Sequence, residues 1–501
     1  MFGISVSRIL SIALLFRLGA GAPFASSVSS SAPQSSPTVP FVDTNPNLPL
    51  WGPNTDPNDP VVAPIRGQLG ATVLGPDNKP IDLQSPDILA PPTTDHGSVP
   101  NVKWPFSMSH NRLFTGGWAR TQNGILPLPV FFVQCGNSFL HVVDALPVAK
   151  AMAAVNMRLK AGAIRELHWH KTSEWAYVLK GYTQVTAVDT EGRNFVGTAG
   201  PGDLWFFPAG IPHSLQATND TEDGSEFILV FDDGEFADDQ TFLLTDWLAH
   251  TPYEVLLKNF GVESDAFARI PGKELFIFPG TDASFPGPDS DAPQSPQGTV
   301  PEPYVFPLSK MNATTTPGGT VKIVDSSIFK ISTTIAMAEV TVNPGGMREL
   351  HWHPTMDEWS FFLEGEGRVT VFASQGNART FNYQAGDIGY VPSGMGHYVE
   401  NTGNTTLRFL EIFNTARFQD VSLNQWLALT PPELVKAHLN IDDATVAKLS
   451  KTKQVVPSPI SPELSSALSP QHPAAIHDLN INNDVPGSRN TFNPASSTSS
   501  Y

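Results

Sequence analysis

One phrase, RELHWHKTSEW from Arg165 to Trp175, returns as RELHWHPTMDEW from Arg348 to Trp359, 183 residues further on. Its surroundings return with it. Gly200-Pro201-Gly202-Asp203 with PAGIPHS matches Ala385-Gly386-Asp387 with PSGMGHY, and FLLTDWLAHTPYEVL matches VSLNQWLALTPPELV. A chain that spells one long pattern twice carries two copies of one structural unit. At 501 residues it also exceeds what one hydrophobic core commonly supports, so two tandem domains satisfy both constraints.

Each copy is built from short runs of Val, Phe, Tyr, Thr and Leu, such as Trp175-Ala176-Tyr177-Val178-Leu179 and Glu226-Phe227-Ile228-Leu229-Val230-Phe231. Gly, Pro and Asp turns interrupt them at short intervals, which predicts an all-β sandwich or barrel. A helical pattern is confined to the end of each copy, around Asp246 to Asn259 and Asn424 to Leu439. Composition marks what lies outside the copies. Residues 23–100 form a Pro/Ser/Asn/Asp-rich extended arm, 279–303 a Pro/Ser/Asp-rich linker, and 456–501 a low-complexity tail, leaving domains at 101–278 and 304–455.

The copies differ in length at one place. Gly117 to Arg165 spans 48 positions where Gly319 to Arg348 spans 29, and the surplus of 19 falls at Gly124 to Val142, GILPLPVFFVQCGNSFLHV. So apolar a block suits a surface loop poorly. It is either an insertion or the product of an unremoved intron or gene-model error. Cys135, the one cysteine of the chain, lies within it, so no intramolecular disulfide exists.

The N-terminus places Arg8 before an apolar run from Ile9 to Phe16 and small residues at Ala20, Gly21 and Ala22, the layout of a secretory signal peptide over residues 1–22. The run is shorter than the ~20 residues a spanning helix needs. Sequons at Asn219, Asn312 and Asn404 fit a secreted, glycosylated chain. A formal charge of −18 and a pI near 5.1 argue against nucleic acid as a partner.

The repeated phrase carries the chemistry. On a strand, His168 and His170 project from one face while Trp169 faces the other way. Glu174 follows the strand, and His213 comes 43 residues after His170, beyond a turn. The second copy supplies His351, His353, Glu358 and His397 in the same order. Three imidazoles and a carboxylate able to converge, spelled twice, make a metal site rather than a packing device. Without a thiolate, the set suits Mn, Fe, Ni or Zn, and an octahedral ion would leave two positions open.

With these motifs the chain resembles the bicupin oxalate decarboxylases of the secreted fungal type and their bacterial relatives, over roughly Pro100 to Lys451. The resemblance implies two cupin barrels (double-stranded β-helix, jelly-roll) with short peripheral helices, one Mn(2+) in each, two per chain, and dioxygen as redox cofactor. It implies oxalate as substrate and the eight residues above as metal ligands. Arg165 and Arg348, each three residues before the first ligand histidine, would offer the dianion a planar fork of donors. The family's catalytic acid sits on a mobile lid, here FDDGEFADDQTFLLTDW, and its glutamate falls at Asp238, one methylene shorter, with Glu235 and Asp239 as nearby carboxylates. A second glutamate of the family corresponds to Glu411 in LRFLEIFN, near the second metal or paired with Arg348. The expected reaction is cleavage of oxalate to formate and carbon dioxide. The altered lid keeps open an oxalate oxidase giving carbon dioxide and hydrogen peroxide, and the fold alone keeps open a non-catalytic metal-binding or storage-type bicupin. Neither nucleic acid nor membrane is expected as a partner, and homo-oligomerisation is left open.

Overall fold

The computed structural model describes residue 92 and residues 94–109, 111–123, 146–237, 241–280 and 286–459. The signal-peptide segment, most of the arm, the block 124–142 with Cys135, the lid residues Asp238 and Asp239, and the tail from 460 lie outside the described residues.

Each copy folds into two antiparallel sheets facing each other, the jelly-roll barrel expected of it. In barrel 1 the larger sheet runs Leu204–Phe207, Glu174–Lys180, Ser225–Phe231, Ala153–Leu159, Gly117–Gln122 and Asn111–Phe114. The smaller runs Phe242–Leu243, Ile164–Trp169, His213–Ala217, Thr183–Val188 and Asn194–Ala199, with Ile277–Phe278 also paired to Ile164–Trp169. Barrel 2 repeats this order. Its larger sheet includes Glu358–Glu364, Leu407–Phe413, Ala336–Val342 and Gly319–Val324, and its smaller sheet centres on Met347–Trp352 and His397–Asn401.

Alternation decides what each strand buries. Val155, Met157 and Leu159 fill barrel 1, while Ala154 on the same strand joins the apolar layer between the barrels. Trp175, Tyr177, Ile228 and Val230 enter that layer from barrel 1 and meet Trp359, Phe361, Leu410 and Ile412 from barrel 2. The central strands of the larger sheets are therefore buried on both faces, which is why SEFILVF reads as an unbroken apolar run after its first two residues. At Gly117 and Gly319 the neighbouring strand comes so close that a Cβ would sit 2.0 Å from the Arg158 carbonyl oxygen and 1.9 Å from that of Thr341.

The barrels exchange edge strands. Lys103–Pro105 pairs with Asp387–Val391 in barrel 2, where the Lys103 ammonium lies 3.1 Å from buried Asp387. Reciprocally, Val305–Phe306 pairs with Leu204–Phe207 in barrel 1. Upstream of that strand, Asp95 accepts hydrogen bonds from the Thr380 amide and hydroxyl at 2.9 and 2.7 Å. The segments opening the domains at 101 and 304 thus each serve the opposite barrel.

The Pro-rich linker packs along barrel 1 rather than hanging free. Asp289 accepts from the Thr198 amide, the Thr198 hydroxyl and the Gln184 side chain, and Thr299 bridges Asn194, so the linker covers the open edge of Asn194–Ala199. The helical stretches split in two at proline. Leu244–Ala249 and Tyr253–Phe260 flank Thr251-Pro252, and Leu423–Leu429 and Pro432–Leu439 flank Thr430-Pro431, because the residue before a proline is pushed out of the helical region. No helix among the described residues is long and apolar enough to cross a membrane. The strand register is the same in both copies, Gly117 opposite Leu159 and Gly319 opposite Val342, so the 19 surplus residues fall within the connection 123–152.

Candidate metal centres

The strand Ile164–Trp169 delivers His168, and the turn after it delivers His170; both rings point into barrel 1. Trp169 points outward and stacks on Phe242, with ring centres 5.4 Å apart, as the alternation predicts. Glu174 begins a strand of the larger sheet and His213 a strand of the smaller one, where His213 pairs with His168 in register. Four donor atoms from these residues lie within 4.8 Å of one another, and so do four from His351, His353, Glu358 and His397 in barrel 2. All eight residues are buried.

Backbone carbonyls orient the imidazoles. Nδ1 of His168 donates to Glu166 at 2.6 Å, His170 to Thr172 at 2.7 Å and His213 to Ile211 at 2.8 Å. In barrel 2, His351 donates to Glu349 at 2.7 Å, His353 to Gln419 at 2.8 Å and His397 to Met395 at 2.9 Å. With Nδ1 so engaged, Nε2 of every ring faces the centre, and Nε2 of His213 and of His351 are buried without a hydrogen-bond partner. Orphaned inward nitrogens beside a carboxylate are what a cation-binding site leaves behind, so the residues fit a divalent metal.

Electrostatics agree with that fit. Burial lowers the His168 and His213 imidazoles, for His168 with help from the Arg165 charge and for His213 against the pull of Glu174, which favours the neutral, ligating form of each ring. Burial pushes the Glu174 carboxyl up, but the imidazoles of His170 and His213, with Nε2 at 3.2 and 3.5 Å from Oε2, reverse this and leave it below the usual carboxylate range. Glu358 is lowered in the same way by His397 and His353.

The carboxylates are steered differently, by residues the sequence reading did not single out. Glu174 Oε1 accepts from the Trp205 indole at 2.9 Å, whereas Glu358 Oε1 accepts from the Ser360 hydroxyl at 2.6 Å. Ser360 stands two residues along Glu358's own strand, a spacing the sequence does display; Trp205, on a different strand, leaves no such signal.

Arg165 and Arg348 both point inward beside the first ligand histidine, but their settings diverge. Arg348 is fully buried, with Nε 3.2 Å from Glu411 and Nη2 2.6 Å from Asp420, and Lys453 also contacts Asp420. Glu411 is therefore both paired with Arg348 and close to the second centre. Burial raises its carboxyl against the Arg348 charge, and Oε2 is buried without a partner. Leu229 takes the register position of Glu411 in barrel 1, and Thr241 that of Asp420. The Arg165 guanidinium donates to the Thr241 hydroxyl at 3.3 Å and lies 3.8 Å from the ring centre of Phe276.

Over the first centre, Phe236 of the lid stacks on Phe231 at 3.6 Å and sets its edge against His170. The space left beneath is about 10 Å3, lined by Arg165, His168, Glu174, Leu229, Phe236 and Thr241. That holds about one water, so a larger ligand enters only if Phe236 moves aside. Glu235 is exposed on the outside of the loop.

Comparison with known proteins accords with this geometry. The cupin family matches at residues 136–266 and 307–447. The chain is similar to an oxalate decarboxylase of Bacillus subtilis, 52% identical over 394 residues that cover 78% of this chain and 96% of the relative. A probable oxalate decarboxylase of Arthroderma benhamiae is 40% identical, with 78% and 91% covered. Among solved structures, the Bacillus subtilis oxalate decarboxylase characterised for its Mn(II) centres superposes with a TM-score of 0.71 at 51% identity, covering 79% of this chain and 99% of that one.

Proposed function

The chain belongs to the oxalate decarboxylases of the cupin family, and on that footing we propose that it cleaves oxalate to formate and carbon dioxide in barrel 1, with Mn(2+) in both barrels. The observation carrying this reading is the pair of complete, buried four-donor sites, each flanked by an inward arginine. His168, His170, Glu174 and His213 hold the first metal, and His351, His353, Glu358 and His397 the second. Mn(2+), with dioxygen, supplies the one-electron chemistry that loosens the carbon-carbon bond.

The protein's own groups do the rest. Arg165 binds the dianion through its planar fork and fixes it beside the metal. Closure of the segment carrying Phe236 excludes water, which strengthens that charge interaction. The reaction is redox-neutral overall: the carbon-carbon bond breaks, one carbon leaves as carbon dioxide, and the other takes up a proton. We assign that proton to the carboxyl of Asp238. Barrel 1 is favoured because Arg348 is committed to Glu411 and Asp420, whose charges an incoming dianion would have to displace. Oxalate, air and Mn-loaded protein, with formate and hydrogen peroxide measured together, test the reading. Formate in near equality with oxalate consumed supports it, peroxide with little formate makes the protein an oxidase, and neither product makes it a binding protein.

Secretion is part of the proposal. Residues 1–22 are removed on export, and Asn219, Asn312 and Asn404, all exposed, carry glycan. N-terminal sequencing of the secreted protein and a glycosidase shift on a gel check both. Self-association is proposed as well, through the exposed Trp247, Trp426, Leu429 and Leu434 on the two helix pairs. Sedimentation of wild type against Trp247→Glu/Trp426→Glu tests it.

A further inference from the structure

The Asp420 side chain, 2% exposed, is held between two cations. Its Oδ2 lies 2.6 Å from Nη2 of Arg348, and its Oδ1 takes the Lys453 ammonium. Nε of the same guanidinium meets Glu411 at 3.2 Å. Nε and Nη2 form one edge of the planar fork, the edge that a single carboxylate grips with both oxygens. In barrel 2 that edge is filled from within the chain, by one oxygen from each of two carboxylates, and Nη1 alone is buried without a partner. The guanidinium is close enough to His351 that its charge, after burial, lowers that imidazole. The filled edge therefore belongs to the second metal centre.

The segment that carries Asp420 is short and tied along its length. Seven residues, 414–420, join Phe413 to Val421, where ten, 232–241, join Phe231 to Phe242 in barrel 1. The Ser326 amide donates to the Ala416 carbonyl at 3.0 Å. Buried Asp325 accepts from the Phe418 amide at 3.3 Å and pairs with the Arg417 guanidinium at 3.2 Å. The Gln419 carbonyl accepts from Nδ1 of the ligand His353 at 2.8 Å. Swinging Asp420 aside would thus disturb a metal ligand and leave two cations without the carboxylate they share. A dianion arriving with Asp420 in place would meet two like charges in a buried, low-dielectric setting.

We propose that Asp420 is a resident carboxylate that fills the anion position of the second centre, held there by Lys453 and Asp325, so that barrel 2 keeps its metal but is closed to oxalate. This rests on the reading that oxalate binds in barrel 1. Oxalate binding to Mn-loaded protein is measured by calorimetry without dioxygen, with Mn content determined on the same samples. Asp420→Ala, which removes both bulk and charge, is expected to raise the count from one oxalate per chain to two, while Asp420→Glu, which keeps a carboxylate, stays at one. Two in the wild type, or one in Asp420→Ala with both Mn retained, overturns the proposal. Should Asp420→Ala lose its second Mn, Asp420→Asn, of equal size and neutral, decides: a second equivalent supports the proposal and its absence overturns it. His168→Ala, which removes a ligand of the first metal, separates the two levels. It is expected to bind no oxalate, and to regain one equivalent when combined with Asp420→Ala. Binding in His168→Ala alone puts oxalate in barrel 2 and ends this proposal, whereas a wild type that binds none ends the functional reading itself.

Discussion

Trp205 donates its indole N–H to Oε1 of Glu174 at 2.9 Å, which leaves Oε2 of the same carboxylate among the imidazoles, 3.2 Å from Nε2 of His170. A partner of this kind fixes the orientation of a ligand and the energy with which it holds an ion. Trp205→Phe is expected to weaken Mn binding about 10–100-fold in barrel 1 alone. Dialysis against graded chelator, followed by metal analysis, should then show one Mn leaving well before the other; simultaneous loss would contradict the expectation.

The two arginines should respond differently to shortening. Arg165→Lys removes the planar fork at the proposed substrate site and is expected to lower kcat/KM for oxalate by a factor of about 30 or more. Arg348→Lys disturbs a buried pair with Glu411 and Asp420 instead. It should cost roughly 1–3 kcal/mol in urea unfolding while kcat/KM stays within about threefold. Steady-state kinetics and denaturation on the same preparations decide between these outcomes.

On the proposed mechanism Asp238, as the lid acid, governs product identity. Asp238→Glu lengthens the side chain by one methylene and should raise the ratio of formate to hydrogen peroxide, while Asp238→Ala should lower it severalfold. Both products quantified in one vessel give the ratio directly. An unchanged ratio in Asp238→Ala would remove Asp238 from the mechanism.

Glu226 offers a test of pH-dependent stability away from either centre. Burial pushes its carboxyl up to about 7, against the pull of Arg120, Asn156, Arg158 and Lys180. The folded chain therefore binds this proton more tightly than the unfolded chain, whose carboxyl titrates near 4.5. Its contribution is greatest below that lower value and is lost as pH climbs through about 7, by at most ~3 kcal/mol. Urea midpoints near pH 5 and near pH 8 should differ less in Glu226→Gln than in wild type.

Much of this molecule is legible along the chain, because its information is local and repeated. The ligand histidines alternate on one strand, the second copy repeats them, and the all-β class follows from short apolar runs between turns. What the sequence hides is set by register between distant strands. Nothing near Arg348 points to Asp420; the pairing of Glu411 with Arg348 was one of two readings, and it forms because Leu407–Phe413 lies in one sheet of the barrel that Met347–Trp352 closes from the other. Nothing along the chain sets Phe276 beside Arg165; its backbone hydrogen bonds to Glu166 do. The apolar pattern marks where the helical stretches lie, while their division into pairs follows from Pro252 and Pro431.

The reciprocal strands at Lys103–Pro105 and Val305–Phe306 bear on how the gene could be cut. Severed within the linker, each fragment would own a strand whose docking edge belongs to its sibling and would lack the one that completes its own sheet. The two halves would then tend to find each other, with fragment complementation written into the crossing. By the same token neither copy could be shed by a shortened descendant without first rebuilding an edge, so the duplication, once made, is hard to undo.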